Sequence, residues 1–294
     1  MAHLKGFTAA ILAALLTATS VPAQTADTDT AEALGALRAV FYHELGHGLI
    51  DVLDLDVVGA EENVVDEFST MLLILQGRRD NRQIEALLST ARFWALASSP
   101  AEEAMRYYSE HDFNSKRFFN IVCLLHGSDP GRFYPIMTEL DIPERRARRC
   151  ELEFHEKSEN WVNILAPHVR GNAPADRQGS FVVQYAPAQS EAAQGVARIW
   201  QQTRFVESLA LEAGAIFPLP SDLPVIAREC GMANAFWDGR GITLCYELHL
   251  AIARSFSGAR DGVPDPKDKV RDTGLGAGPG GGGSVNVGDL LGGE

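Results

Sequence analysis

The chain has 294 residues, and its 39 acidic and 26 basic side chains give it a formal charge of −13 at pH 7. An acidic surface makes nucleic acid a poor partner, because binding to a phosphate backbone requires a basic face. Without the two terminal segments described below, about 230 residues remain, enough for one ordinary domain or a two-lobed one.

The N-terminus has the features of a secretory signal peptide. Lys5 precedes a short apolar stretch from Phe7 to Leu16, and Val21-Pro22-Ala23 places small residues at the −3 and −1 positions of a cleavage site. The stretch is too short to span a membrane, and no later apolar run reaches about 18 residues. We therefore expect residues 1–23 to be removed and the mature protein to be exported, to the periplasm or outside the cell, without a stable membrane span.

The residues His43-Glu44-Leu45-Gly46-His47 form an H-E-x-x-H pattern within an apolar run of helical periodicity. Two histidines four residues apart share one face of a helix, so their imidazole nitrogens can bind the same Zn²⁺ ion. Glu44 is close to both, where it can take a proton from a water activated by the metal without being a ligand itself. A buried, hydrogen-bonded histidine pair is the alternative interpretation.

A catalytic zinc site requires a third protein ligand and one open position. Ile50 and Leu53 occupy the positions where the metzincin pattern has glycine and histidine, which excludes that class. In the gluzincin pattern, a glutamate on a second helix is followed four residues later by an aspartate, and Glu62 and Asp66 have this spacing. We expect Glu62 to bind the metal and Asp66 to accept the ring N–H of His43, which fixes the tautomer of that ring.

Three other polar residues could contribute to the same site. Glu61 could replace Glu62 as the third ligand. Asp51 extends the histidine face of the first helix, but one straight helix rarely supplies three ligands to one ion, so we expect it to bond to backbone or to a residue outside the ligand set. His111 is the candidate donor that stabilises the oxyanion when water attacks a carbonyl. A surface or capping histidine is the alternative for His111.

The four cysteines predict disulfides, because cysteines of exported proteins are usually oxidised. Three connectivities are possible. The local pairing, Cys123–Cys150 with Cys230–Cys245, closes loops of modest length and is our first choice. Cysteine is not expected to bind the metal, since no two cysteines have C-x-x-C spacing.

Hydrophobic periodicity predicts an α+β fold that is predominantly helical, with a small sheet formed by the C-terminal part. Helices are predicted at 30–53, 63–76, 80–98, 100–108, 115–125 and 143–156. Strands are predicted at 181–185, 223–227 and 241–246. We interpret 24–170 as a helical region with the metal site, 171–179 as a linker, and 180–256 as a small α/β portion that completes the same domain. Residues 257–294 are rich in glycine and are expected to be disordered.

Several motifs together resemble an uncharacterised bacterial family of proposed metallopeptidases. These motifs are His43 to Asp51, Glu61-Glu62 with Asp66, Glu110-His111, Arg117 to Cys123, Gly127 to Pro130, Glu144-Arg145-Arg146 leading to Cys150, Cys230-Gly231, Asn234-Ala235-Phe236, and Cys245 to Leu248. The resemblance extends over nearly the whole mature chain before the glycine-rich tail. It implies a zincin-like fold with a gluzincin-type metal site.

The order of the motifs differs from that of the family. There the Cys-Tyr-Glu-Leu segment precedes the H-E-x-x-H helix, whereas here Cys245 to Leu248 follow it. Zincins place a sheet before the active-site helix, and its edge strand binds an extended substrate by strand addition. The chain between Ala23 and His43 is too short for a sheet. We therefore interpret residues 180–256 as the displaced N-terminal portion, since circular permutation is tolerated where termini are close.

These features predict an exported zinc-dependent metallopeptidase that acts on a peptide or protein. Glu44 would deprotonate the attacking water and then pass the proton to the leaving amine. One alternative is a non-catalytic binding or scaffolding module that keeps a structural metal. Another is a zinc-dependent amidase that acts on cell-wall amide bonds.

Overall fold

The computed structural model describes residues 23–78, 80–99 and 109–260. Residues 1–22 of the predicted signal peptide, the predicted helix at 100–108 and the glycine-rich tail beyond residue 260 lie outside this range. Residues 257–260, which the sequence analysis assigned to the tail, belong to the last helix.

The predicted α+β, predominantly helical class is confirmed. The α-helices of the described residues are α1 (Ala23–Leu53), α2 (Glu61–Gly77), α3 (Asn81–Ala97), α4 (Asn114–Ser128), α5 (Pro130–Glu139), α6 (Glu144–Leu165), α7 (Glu191–Gln202), α8 (Phe205–Ile216) and α9 (Tyr246–Arg260). A 3-10 helix, Ala166–His168, follows α6. The strands are β1 (Phe181–Tyr185), β2 (Leu223–Arg228), β3 (Ala235–Trp237) and β4 (Ile242–Cys245).

Two predicted helix limits differ most from those of the structure. Within the described residues helix α1 is already helical from Ala23, ahead of the predicted start at Thr30, since the alanines around its polar residues favour helix and outweigh the aspartates and threonines between them. Helix α6 continues to Leu165 rather than ending at Glu156, because Trp161 and Leu165 extend its buried face.

Some helices were not predicted from the sequence although their signals were present. Helix α5 has Pro130 in its first turn, and Asp129 caps it by accepting a hydrogen bond from the Arg132 N–H at 3.0 Å. Both are typical helix starts. The buried residues of α7, which are Ala193, Val196 and Trp200, repeat with helical spacing.

The sheet has the strand order β1-β2-β4-β3. Strands β1, β2 and β4 are parallel, and β3 pairs antiparallel with β4. Parallel neighbours need a crossover connection, and α7 with α8 supplies it between β1 and β2. Strand β3 is last in the strand order, so it is an edge strand of the sheet.

Helix α1 is the element on which the site is built. It packs against α2, α3, α9 and β3. A Cβ atom on Gly46 would lie 2.9 Å from Val65 Cγ1, so glycine at this position allows the backbone of α1 to approach α2 closely. Buried residues from both sides of the predicted linker 171–179 belong to one hydrophobic cluster.

The predicted disulfide pairing is confirmed. Cys123–Cys150 joins α4 to α6, and Cys230–Cys245 joins the loop after β2 to the end of β4. A separate finding concerns membranes: no helix among the described residues has the length and apolar character needed to cross one.

Candidate active site

His43 and His47 lie one turn apart on α1 and face Glu62, which lies in the first turn of α2. Their Nε2 atoms are 3.1 Å and 3.4 Å from Glu62 Oε2. One ligand atom from each of the three residues lies within 4.8 Å of the other two. The close approach of α1 and α2 therefore brings together the three residues that the H-E-x-x-H and glutamate spacings predicted as ligands.

The burial of Glu62 Oε2 and its lack of a hydrogen-bond partner among the described residues fit a bound metal ion. This oxygen is buried, and among the described residues none contacts it with acceptable hydrogen-bond geometry, although the imidazole nitrogens are near. A buried polar atom without a hydrogen bond is costly. A cation bound by the two imidazoles and the carboxylate would satisfy it, and two nitrogen donors with one oxygen donor is a typical ligand set of catalytic zinc.

Each histidine is oriented by a separate carboxylate on its other ring nitrogen. His43 Nδ1 lies 2.8 Å from Asp66 Oδ1, and His47 Nδ1 lies 2.7 Å from Glu61 Oε1. A carboxylate accepts an N–H, so both rings carry a proton on Nδ1 and direct Nε2 toward Glu62. Glu61 thus contacts His47 at the ring nitrogen that faces away from the candidate metal position. This geometry favours Glu62 as the third ligand.

The contact between His43 and Glu62 raises the pKa of the histidine and lowers that of the glutamate. Burial lowers the pKa of His43, but its contacts with Asp66 and Glu62 outweigh burial and raise it to about 9. The adjacent imidazoles of His43 and His47 hold the pKa of Glu62 well below its usual range. Glu62 is therefore ionised, and a metal ion that binds here displaces a proton from His43.

Glu44 lies beside the histidines without sharing their contact with Glu62. Its side chain is buried, and its carboxylate accepts a hydrogen bond of 2.9 Å from the backbone N–H of Trp237 in β3. Burial raises the pKa of Glu44, an effect that the charges of His43 and His47 only partly oppose. A carboxylate with a raised pKa accepts a proton more readily, as a general base must.

The Trp237 side chain fastens the edge strand β3 to α1. Its indole N–H donates to Asp51 Oδ2 at 3.1 Å, and its ring lies where a Cβ on Gly48 would be 3.3 Å away. Asp51 is thus outside the ligand set, as expected. The contact of Trp237 with Glu44 was not predicted, because a backbone N–H leaves no residue-type signal in a sequence.

The site opens into a cleft of about 1390 Å³. Its walls include the ligand cluster, Glu44, the start of α4, Asn234 and the edge strand β3. A cleft that joins titratable groups to a strand edge can hold an extended chain next to them.

The comparison with known families is decisive for the class of protein. The model of the DUF4344 family, described as "Putative metallopeptidase", matches residues 11–165 and 185–275. The chain belongs to this family. No curated protein and no solved structure matches the chain.

Membership in the metallopeptidase family supports a hydrolase that uses a metal ion and acts on a protein or peptide. The matched segments contain the three residues grouped around the candidate metal site, Glu44, Asp66 and Trp237. The stretch between them, 166–184, includes the linker that the sequence predicts at 171–179.

His111, the predicted oxyanion donor, lies next to the candidate metal ligands. Its Nδ1 is 3.1 Å from Glu62 Oε2, and its ring centroid is 5.8 Å from that of His43. Burial and the positive charge of Arg117 lower its pKa. His111 is therefore a neutral imidazole at the edge of the cleft.

A second cluster of metal-binding residue types has a different explanation. Cys230, Cys245 and Glu247 lie close together, but the two cysteines form a disulfide. The Glu247 carboxylate accepts hydrogen bonds from the backbone N–H groups of Cys230 and Gly231, at 3.0 Å and 2.6 Å. This cluster stabilises the loop that leads to β3.

Proposed function

We propose that the protein is a zinc-dependent endopeptidase, with His43, His47 and Glu62 as the metal ligands and Glu44 as the general base. The observation that carries the proposal is the convergence of both Nε2 atoms on a buried Glu62 oxygen that has no hydrogen-bond partner among the described residues. When bound, zinc would polarise the scissile carbonyl and lower the pKa of a water molecule.

Glu44 would transfer the proton in both halves of the reaction. Its carboxylate takes a proton from the attacking water and gives it to the leaving amine. Burial raises the pKa of Glu44, which favours the first step. The Trp237 N–H occupies Oε2, so Oε1 is the oxygen that would receive the proton.

His111 would stabilise the negative charge that develops on the carbonyl oxygen. It lines the cleft next to Glu62, and as a neutral imidazole it has one N–H to donate. A donor placed where charge develops lowers the barrier more in a dry cleft than in water. Asp66 would act only through His43, by holding its ring.

The substrate would lie along β3. This strand pairs with β4 on one side, and its residues line the cleft. The Trp237 N–H of this edge is already bonded to Glu44, so an extended peptide would add through the remaining backbone groups of the edge. Such backbone hydrogen bonds carry little side-chain specificity. This arrangement supports a peptide rather than a small amide as the substrate. The two disulfides support export to an oxidising compartment.

Zinc content measured by mass spectrometry on the purified mature protein tests the metal site. We expect about one zinc per chain, as in zinc peptidases with three protein ligands, and its loss in His43→Ala and His47→Ala. Glu62→Ala should weaken zinc binding more than Glu61→Ala, because Glu61 contacts His47 at Nδ1, the ring nitrogen that does not face the metal position. Full zinc retention in the double histidine variant would contradict the site, and the opposite order of the glutamates would make Glu61 the ligand.

A further inference from the structure

We propose that Arg117 is a positioning residue of the zinc site, which acts through Asp66 on the orientation of His43. The inference rests on the proposed function and goes beyond it, because Arg117 belongs to neither the ligand set nor the proton-transfer groups. Among the described residues, two side chains form hydrogen bonds with the Asp66 carboxylate: His43 and Arg117.

The contact between Arg117 and Asp66 involves both oxygens of the carboxylate. Arg117 Nε donates to Oδ2 at 2.6 Å, and one terminal nitrogen donates to Oδ1 at 2.6 Å. Two parallel hydrogen bonds fix the plane of a carboxylate, which a single bond does not. Oδ1 also accepts the Nδ1–H of His43 at 2.8 Å. The orientation of the His43 ring therefore depends on that of the guanidinium.

The guanidinium is itself held firmly. Only 10% of the Arg117 side chain is exposed, and its guanidinium carbon lies 3.7 Å from the centroid of the Trp94 ring on α3. A guanidinium stacked on an indole gains cation–π attraction and loses freedom to rotate. The contacts thus run from Trp94 on α3, through Arg117 on α4 and Asp66 on α2, to His43 on α1.

The charge of Arg117 makes a positioning role distinguishable from a simple electrostatic one. A buried cation near a metal site repels the incoming Zn²⁺, so its removal would strengthen zinc binding if charge alone mattered. If orientation matters more, removal weakens zinc binding, since loss of a residue that orients a metal ligand typically costs 10- to 100-fold in affinity. The two effects have opposite signs.

The test is the zinc affinity of the full mature chain, measured by competition with a chromophoric chelator. We expect Arg117→Gln to weaken zinc binding by about 10- to 100-fold. Arg117→Lys keeps the charge but loses the two-pronged contact, so it should also weaken binding. Arg146 provides the matched control, because it lines the same cleft, lies over the Phe119 ring at 4.8 Å and pairs with Glu153 at 3.0 Å. Arg146→Lys and Arg146→Gln should bind zinc as the wild type does.

A double variant shows whether Arg117 acts through Asp66. If it does, Asp66→Asn with Arg117→Gln should bind zinc no more weakly than Asp66→Asn alone, because residues in one chain of contacts do not contribute additively. Additive losses, or unchanged or tighter binding in both Arg117 variants, would overturn the proposal. The melting temperature of the zinc-free Arg117→Lys protein should match the wild type, which separates positioning from a general loss of folding.

The outcome also separates this inference from the proposed function. A wild-type chain that binds no zinc would refute the metal site, and the role of Arg117 would fall with it. A wild-type chain that binds zinc, with Arg117 variants that bind it equally well, would refute only the role of Arg117.

Discussion

The backbone N–H of Trp237 donates a hydrogen bond of 2.9 Å to the carboxylate of Glu44. This contact joins the edge strand of the sheet to the proposed general base on α1, although the two residues are far apart in the chain. The Trp237 ring packs over Gly48, and its indole N–H bonds to Asp51. The C-terminal half of the protein therefore contributes directly to the geometry of a site whose proposed ligands all come from the N-terminal half.

Replacing Trp237 by proline and by alanine tests the backbone contact. Both variants lose the indole, but only Trp237→Pro loses the N–H, and an edge strand tolerates proline where its N–H is not part of the ladder. A hydrogen bond to a charged group contributes about 1.5–3 kcal/mol, so Trp237→Pro should lose about tenfold or more in kcat relative to Trp237→Ala. Zinc content should be unchanged in both. Equal kcat in the two variants would show that the N–H does not position Glu44.

Gly46 sets the distance between α1 and α2, and its substitution should disturb the site and the fold together. A Cβ here would lie 2.9 Å from Val65 Cγ1 and 3.0 Å from Phe68 Cδ1. Overpacking of this kind typically costs about 1–3 kcal/mol. We expect Gly46→Ala to lower the free energy of unfolding by this amount and to weaken zinc binding, because the histidines move away from Glu62.

Gly195 on α7 provides the control for Gly46. The nearest atom to a Cβ at Gly195 is a nitrogen of the flexible Arg198 side chain, at 3.9 Å. Alanine should therefore stabilise α7 by about 0.5–1 kcal/mol through its higher helix propensity. Urea unfolding of both variants measures the difference. A neutral or stabilising Gly46→Ala would mean that the two helices do not need glycine to approach.

The parts of the site that depend on spacing were predictable from the sequence. Histidines four residues apart must share a helix face, and the spacing of Glu62 and Asp66 predicts which glutamate faces the histidines. The structure brings these four residues together with Glu44 and His111. The local disulfides were also predictable, since nearby cysteines close short loops.

Contacts between distant segments were not predictable in this way. The bidentate contact of Arg117 with Asp66 depends on how α4 packs against α2 and α3, and an arginine in a helix is usually exposed to solvent. The edge strand β3 has only three residues, too few to show an alternating pattern. The indole contact with Asp51 required the packing of β3 on α1, which no local pattern encodes.

The two disulfides should contribute similarly to stability but differently to activity. Each closes a loop, with sequence separations of 27 and 15 residues, for which chain entropy predicts about 3 kcal/mol per bond. Replacing both cysteines by serine in either pair should lower the free energy of unfolding by about that amount. Loss of Cys230–Cys245 should also reduce kcat, because that bond holds the loop that leads into β3.

Peptide mapping without reduction checks the pairing itself. We expect linked peptides for Cys123 with Cys150 and for Cys230 with Cys245. A peptide that links Cys123 to Cys245 would contradict the packing of the two halves. Four free thiols in the purified protein would contradict export to an oxidising compartment as well.

The role of Glu44 as general base is tested by comparing the wild type with Glu44→Gln, a variant of the same shape that cannot accept a proton. Zinc content and casein hydrolysis are measured on the same preparations. We expect equal zinc in both proteins and a loss of about two to four orders of magnitude in hydrolysis by Glu44→Gln, the scale of a positioned acid–base group. Zinc in both proteins with no hydrolysis by the wild type, or with equal hydrolysis by both, would contradict a peptidase in which Glu44 is the general base.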